Sequence, residues 1–271
     1  MSKFSLVLFR TILVIAVLMV LFPFVWALML SLKTNQEITG ALVTFFPKGL
    51  NLEGYRTVFT ETPLGVWFVN SIFVTSVVVA ITSLTSALAG YIFAKFVFKF
   101  KNAIFILILA TMMVPFQVKM IPTYLICVKL NLINTLWALI LPSVVSAFGI
   151  FLCRQHAENI PTELMDAGRI EGAGEFRLFF SLILPLLKPS IAALATFTFI
   201  GTWNNYLWPL IVIDDINKMT LPIALNFFSS NRFTDYNAIM SASVIVLIPV
   251  IVVFLIFQKN FIDGMTISGM K

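Results

Sequence analysis

The residue types able to do covalent or metal chemistry are scarce in this 271-residue chain, which holds two cysteines, Cys127 and Cys153, and one histidine, His156. A zinc centre draws three or four His, Cys or carboxylate ligands, and a single histidine falls short of that. No carboxylate pair, and no nucleophile with its base, stands at one depth of the chain as a hydrolytic site requires. Two polar sets remain. The first is Glu163, Asp166, Arg169 and Glu171, interleaved with the small residues Ala167, Gly168 and Gly172. Its chemistry is ionic contact in a fixed register with close backbone approach. The second is Thr198, Thr202, Asn204, Asn205 and Tyr206, which can hydrogen-bond or stack on a polar solute. Neither set makes or breaks bonds, so no enzyme is expected here.

What positions these sets is an apolar chain: 60% of residues are hydrophobic and 11% charged. Six charge-free runs lie between Arg10 and Lys33, Glu61 and Lys95, Lys101 and Lys119, Lys129 and Arg154, Lys188 and Asp214, and Asp235 and Lys259. A spanning helix takes roughly 20 apolar residues at 1.5 Å each. The expected fold is therefore all-α, a polytopic membrane protein forming one domain over 1–271. Its six spans are expected near 11–32, 66–94, 102–124, 133–153, 189–213 and 237–258. The third run is short and continues past Lys119 toward Cys127, with Pro115 and Pro122 bending it near the outer surface. Lys3 and Arg10 ahead of an apolar stretch look like a secretory signal, but no Ala-x-Ala-like site lies between Trp26 and Thr34, so an anchor helix is expected. Cys127 and Cys153 then sit near opposite surfaces, about 30 Å apart, which excludes a disulfide between them.

With six spans both termini share a side. Segments 1–10, 95–101, 154–188 and 259–271 hold 11 of the 18 basic residues, and Lys95, Lys99 and Lys101 fill a short loop between spans. Short basic loops stay in the cytoplasm, which places both termini there. The net charge of +6 then faces anionic lipid, with no need for nucleic acid.

Residues 154–188 interrupt the apolar pattern with a 35-residue hydrophilic loop. Asn159 is placed to cap a helix whose first turn holds Pro161 and Glu163, and Gly172-Ala173-Gly174 ends it. Small residues at 167, 168 and 172–174 suit either a hairpin packed on its own bundle or a docking surface. On the fifth span Thr198, Gly201, Thr202 and Asn205 share one face, suited to interhelical hydrogen bonds or to solute contact. Ser71, Thr75, Thr82, Ser86 and Gly90 share a face of the second span, which reads first as close helix packing. Tyr206 and Trp208 suit a membrane-surface anchor or a sugar stack.

The loop resembles a known signature. Asp166-Ala167-Gly168, three residues, Gly172, nine residues, then Leu182-Ile183-Leu184-Pro185 match in spacing the EAA loop of binding-protein-dependent ABC importer permeases. The departures are Asp166 for Glu, Gly168 for the second Ala and Leu182 for Ile. Trp203 to Leu210, Thr220-Leu221-Pro222, Ile248-Pro249, Asn70-Ser71, Phe151 to Gln155 and the tail Gln258 to Lys271 are similar to the maltose-type carbohydrate permease subfamily, from about residue 60 onward.

The resemblance implies a subunit forming half of the passage of an ATP-driven carbohydrate importer in a bacterial or archaeal cytoplasmic membrane. A polyol phosphate is the alternative solute. It also implies that the loop is a coupling hairpin gripped by a separate cytoplasmic ATPase through Glu163, Asp166, Ala167, Gly168, Arg169, Glu171 and Gly172. The implied partners are a second related permease, an ATPase dimer and an extracytoplasmic solute-binding protein, with the tail from Phe261 to Lys271 near the ATPase. The chain carries no Gly-x-x-x-x-Gly-Lys-Ser/Thr phosphate loop. ATP and Mg are thus expected on the partner and no cofactor on this chain. An ion-coupled secondary transporter would carry ionisable residues in its spans, and the six runs hold none. A purely structural bundle gives no reason for the glycine-rich loop.

Overall fold

The computed structural model describes residues 3–42, 44–228 and 234–266, and its regular elements are helices. In chain order these are α1 (Lys3–Ser31), α2 (Asn35–Thr39), α3 (Glu53–Thr60), α4 (Leu64–Lys95), α5 (Lys101–Met113), α6 (Phe116–Lys129), α7 (Trp137–Ser143) and α8 (Ala147–Glu158). There follow α9 (Thr162–Ile170), α10 (Glu175–Leu186), α11 (Lys188–Trp203), α12 (Leu207–Val212), α13 (Leu221–Ala224) and α14 (Tyr236–Thr266).

Three of these are long and apolar enough to cross a bilayer unbroken: α1, α4 and α14. Three further candidates are bent pairs, α5 with α6 at 102°, α7 with α8 at 42° and α10 with α11 at 76°. Counting each bent pair as one span gives six. The breaks have local causes. Pro115 lacks an N–H and pushes Val114 into the extended region, at φ −85° and ψ 113°, so α5 cannot run on into α6. Pro122 sits inside α6 without ending it. Ser146, extended, restarts the chain as α8 by accepting from the Gly149 N–H at 3.0 Å. A π-helical turn over Phe179–Ile183 and Pro189 at the second position of α11 flank the third bend. The fifth apolar run is also interrupted, because α11 ends at Trp203 and the backbone unwinds through Asn204–Tyr206 before α12.

The described residues fall into two compact units, one within Met1–Gly65 and Ile223–Pro249, the other within Val66–Pro222 and Val250–Lys271. In the first, the end of α1 is tied by side-chain amides. Asn237, 3% exposed, donates through Nδ2 to the carbonyls of Ser31 and Lys33 at 2.9 and 2.6 Å. Its backbone N–H donates to Asn35 Oδ1 at 3.0 Å, and Asn35 Nδ2 donates to Asp235 Oδ1 at 2.9 Å. The Lys33 ammonium, wholly buried, bonds to the Thr44 carbonyl and lies 5.5 Å from the Trp26 ring centre. Asn237→Ala leaves the Lys33 carbonyl without this donor and the Ser31 carbonyl with only the 3.4 Å bond from Ser241 Oγ, and is expected to cost about 1–3 kcal/mol. Its thermal unfolding in detergent, measured against wild type, checks this.

The core of the second unit joins Ala87 and Tyr91 of α4, Cys153 and Ala157 of α8, Ile160, Met165 of α9, Phe179 and Ile183 of α10, Leu187, and Leu194 of α11. The small-residue face of α4 packs as its pattern suggests. A Cβ on Gly90 would lie 2.6 Å from Cys153 Cβ, and one on Gly149 would lie 2.3 Å from Ser86 Oγ. Thr82 and Thr85 donate to the carbonyls of Ser143 and Val144 at 3.1 and 3.0 Å. Cys127 and Cys153 are both free thiols.

One local expectation is corrected. Asn159 terminates α8 instead of capping α9: its backbone is helical, its side chain donates to the Gln155 carbonyl at 3.0 Å, and Pro161 holds the N-cap position of α9. The short link Asn159–Ile160–Pro161 leaves no room for an asparagine side chain to reach the first turn beyond. The tail from residue 267 lies outside the described residues, as does the second half of the Phe261–Lys271 expectation.

Candidate functional site

The loop 154–188 folds as a helical hairpin. α9 is amphipathic: Met165, 1% exposed, is its anchor in the core, while Glu163, Asp166, Ala167, Arg169 and, beyond its end, Glu171 and Gly172 face outward. Glu163 in the first turn and Arg169 in the last match the helix dipole. The reversal is made by Gly172 at φ +83°, a left-handed conformation that a side chain would strain. Gly168 is half-buried because α10 lies across it; a Cβ there would sit 2.5 Å from Leu178 Cδ2.

The two arms are braced by charge. Arg169 donates from Nη1 to Asp166 Oδ1 at 2.9 Å and from Nε to Glu175 Oε1 at 2.8 Å. The guanidinium holds the Glu175 carboxyl below the usual carboxylate range, and the carboxylates in turn raise the Arg169 value. Glu175 Oε2 accepts from the Tyr91 hydroxyl at 3.2 Å, which joins α10 to α4. Nearby, the Lys95 ammonium bonds to the Ile160 carbonyl at the entry to α9. Lys101 donates to the carbonyls of Ala94 and Phe96 at 3.2 and 3.0 Å, closing the end of α4. Against this order, Ile170 at the end of α9 is 88% exposed and Phe176 at the start of α10 is 79% exposed.

The second polar set is split by the unwound turn. Thr198 and Thr202 are partly exposed on the last turns of α11, Asn204 closes that helix, and Asn205 accepts from the Trp208 N–H at 3.4 Å. Tyr206, 40% exposed, precedes α12. Trp208 is instead a core residue, 2% exposed, whose Nε1 donates to the Ala138 carbonyl at 2.9 Å; it is no surface anchor. The loop after α12 is clamped from outside the set. Asn70 Nδ2 donates to the carbonyls of Asn217 and Met219 at 2.9 and 3.0 Å, and Ser71 Oγ accepts from Leu221 N at 2.7 Å. Trp67 Nε1 donates to the Ile216 carbonyl at 2.7 Å. Asn134 Oδ1 accepts from the N–H groups of Asp214 and Asp215. His156 pairs with Ser190 Oγ at 2.7 Å, and no group of metal-binding side chains occurs among the described residues.

Residues 86–267, which contain the hairpin, match the family described as binding-protein-dependent transport system inner membrane component. The chain belongs to that family. The permease is 38% identical over 253 residues to the arabinooligosaccharides transport system permease protein AraQ of Halalkalibacterium halodurans, covering 92% of this chain and 91% of that one. It is 34% identical to the lactose transport system permease protein LacG of Rhizobium radiobacter, covering 94% and 93%. It is 35% identical to the sn-glycerol-3-phosphate transport system permease protein UgpE of Pectobacterium atrosepticum, covering 94% of each. Its fold matches a chain in the crystal structure of a bacterial ABC transporter involved in the import of the acidic polysaccharide alginate. The TM-score there is 0.84 at 22% identity, over 96% of the permease and 99% of that chain.

Residue spacing placed the hairpin of the permease but not its bracing. Glu175 completes the brace while Tyr91 and Lys95 tie the hairpin to α4; sequence reading used Lys95 only for orientation and did not single out the other two. Glu175 was a loop charge like its neighbours, and Tyr91 lies 84 residues away in an apolar run. The one available signal was that a tyrosine buried in a span must find a partner for its hydroxyl.

Proposed function

We propose that the permease forms half of the passage of an ATP-driven sugar importer and receives its driving motion through the α9–α10 hairpin. The observation that carries this reading is the pair Ile170 and Phe176, almost fully exposed on an otherwise braced hairpin. Large apolar side chains held in water on a rigid support are what a protein partner covers. That partner is a cytoplasmic ATPase dimer, which binds ATP and Mg; this chain binds neither. Glu163, Asp166 and Glu171 give it ionic contacts, while Ala167 and Gly172 keep the approach close and Gly168 lets α10 lie against α9. A second related permease completes the passage, and an extracytoplasmic binding protein delivers the solute. The chain crosses the membrane six times, through α1, α4, the bent pairs α5–α6 and α7–α8, the interrupted run α11–α12, and α14, with the α9–α10 hairpin and both termini in the cytoplasm.

For the solute, the relatives leave a neutral sugar and a polyol phosphate. The path set Thr198, Thr202, Asn204, Asn205 and Tyr206 offers hydroxyls, amides and one aromatic ring, and residues 189–213 hold no cation. A phosphate selects Arg or Lys, whereas a sugar is read by neutral polar groups and an aromatic face. The transporter assembled in liposomes with its own partners is expected to accumulate a labelled neutral oligosaccharide from ATP, undiminished by excess glycerol 3-phosphate. Uptake of the phosphate instead, or uptake driven without ATP, overturns this reading.

A further inference from the structure

We infer that Tyr91 is a positioning residue for transport: its hydroxyl fixes Glu175, and through it the hairpin, to α4 so that hairpin motion is carried into that span. The inference rests on the hairpin being the coupling element and names a residue through which it acts.

Tyr91 is 2% exposed, and its ring is held between Phe96, at 5.3 Å and edge-on, and Phe179, at 5.7 Å. The rotamer therefore cannot relax, and the hydroxyl is presented at one point at the rim of the core. Glu175 uses its two oxygens in two directions, Oε2 toward Tyr91 and Oε1 toward Arg169, which continues to Asp166. The chain of bonds runs from a buried aromatic in α4, across α10, to the exposed face of α9. The Arg169 bridges close within the hairpin and suffice to brace it. The Tyr91 bond adds nothing to that brace; what it adds is attachment to α4. The Lys95 ammonium makes a second tether to the Ile160 carbonyl, one turn further along the same helix. A charge-assisted bond to a carboxylate resists displacement more than a neutral one, which suits a joint that must bear load.

Tyr91→Phe removes one oxygen and keeps the ring packing, whereas Glu175→Ala breaks the same joint from its exposed end and also removes the Arg169–Glu175 bridge. In the complete transporter reconstituted with its ATPase, solute taken up per ATP hydrolysed is expected to fall about tenfold in Tyr91→Phe and at least as far in Glu175→Ala, a factor that corresponds to about 1.4 kcal/mol, the low end for a bond to a charged group. In Tyr91→Phe, hydrolysis itself and co-purification of the ATPase stay near wild type. The double variant is expected to match Glu175→Ala, because the Tyr91 bond is already lost there. A hydroxyl that only stabilised the fold would lower the unfolding temperature and leave the ratio of solute to ATP unchanged. A wild-type ratio in Tyr91→Phe overturns the inference and leaves the hairpin reading standing. A wild-type chain that recruits no ATPase overturns both.

Discussion

Gly90→Ala is expected to leave little folded permease in the membrane. The added methyl group would lie 2.6 Å from Cys153 Cβ, 2.7 Å from the Arg154 nitrogen and 2.8 Å from the Cys153 carbonyl carbon. Two of these atoms are backbone and the third is fixed to it, so no side-chain rotation relieves the clash; α4 and α8 must separate. Overpacking of this kind costs about 1–3 kcal/mol and more where nothing can move. Separation would also disturb Arg154, whose guanidinium lies 3.8 Å from the Phe105 ring centre and pairs with Glu158 at 2.9 Å. Cys153→Ala is not expected to rescue the variant, since its sulfur is not the obstacle. Gly201→Ala in α11 supplies the control: nothing lies within 4 Å of the new methyl, and alanine favours a helix over glycine by about 1 kcal/mol. Yield of monodisperse protein and its unfolding temperature decide the comparison. Normal yield of Gly90→Ala would mean that α4 and α8 do not meet as described.

Charge placed on the bare apolar pair is expected to detach the ATPase without harming the permease. Ile170→Asp with Phe176→Asp removes the two side chains that a partner would desolvate, and each central contact of that kind is worth about 2 kcal/mol or more. A loss of about a thousandfold in affinity follows. Both side chains are almost wholly exposed in the permease alone, so its unfolding temperature should hold. Co-purification and thermal unfolding on the same preparation separate the two effects; an ATPase that still binds sinks the docking assignment. Substitutions suggested by the sequence signature alone are less clean. Asp166 already pairs with Arg169, so reversing its charge breaks the brace as well as any contact beyond it. A side chain on Gly172 strains the backbone at φ +83° before it meets a partner.

The hairpin shows how far residue order reaches. Gly172, the small residues before it and Pro161 mark a reversal through local backbone preferences, and the helix between them follows. Thr34 and Glu37 form a capping box by the same local logic, with reciprocal bonds of 3.2 and 3.0 Å. The assignment of Asn159 failed because the end of α8 and the start of α9 need caps only two residues apart, and Asn159 serves the first. Sequence periodicity put Thr198, Gly201, Thr202 and Asn205 on one face of a continuous helix. That the helix unwinds at Asn204–Tyr206, separating the threonines from the tyrosine, was not legible.

Sequence by itself determined that this chain is apolar enough for lipid, how many charge-free runs it has and that a hydrophilic stretch over 154–188 interrupts them. Each of these depends on composition over a window of about 20 residues, measured against a bilayer of fixed thickness. Only the tertiary structure decided which runs are continuous helices and which are bent. It alone gave Tyr91 to Glu175, Asn70 to the loop at 217–219, and the backbone of Cys153 and Arg154 to Gly90. Those partnerships join residues tens to more than a hundred positions apart. They are set by which helix faces meet, a property that all the faces determine together and that no single stretch of chain contains.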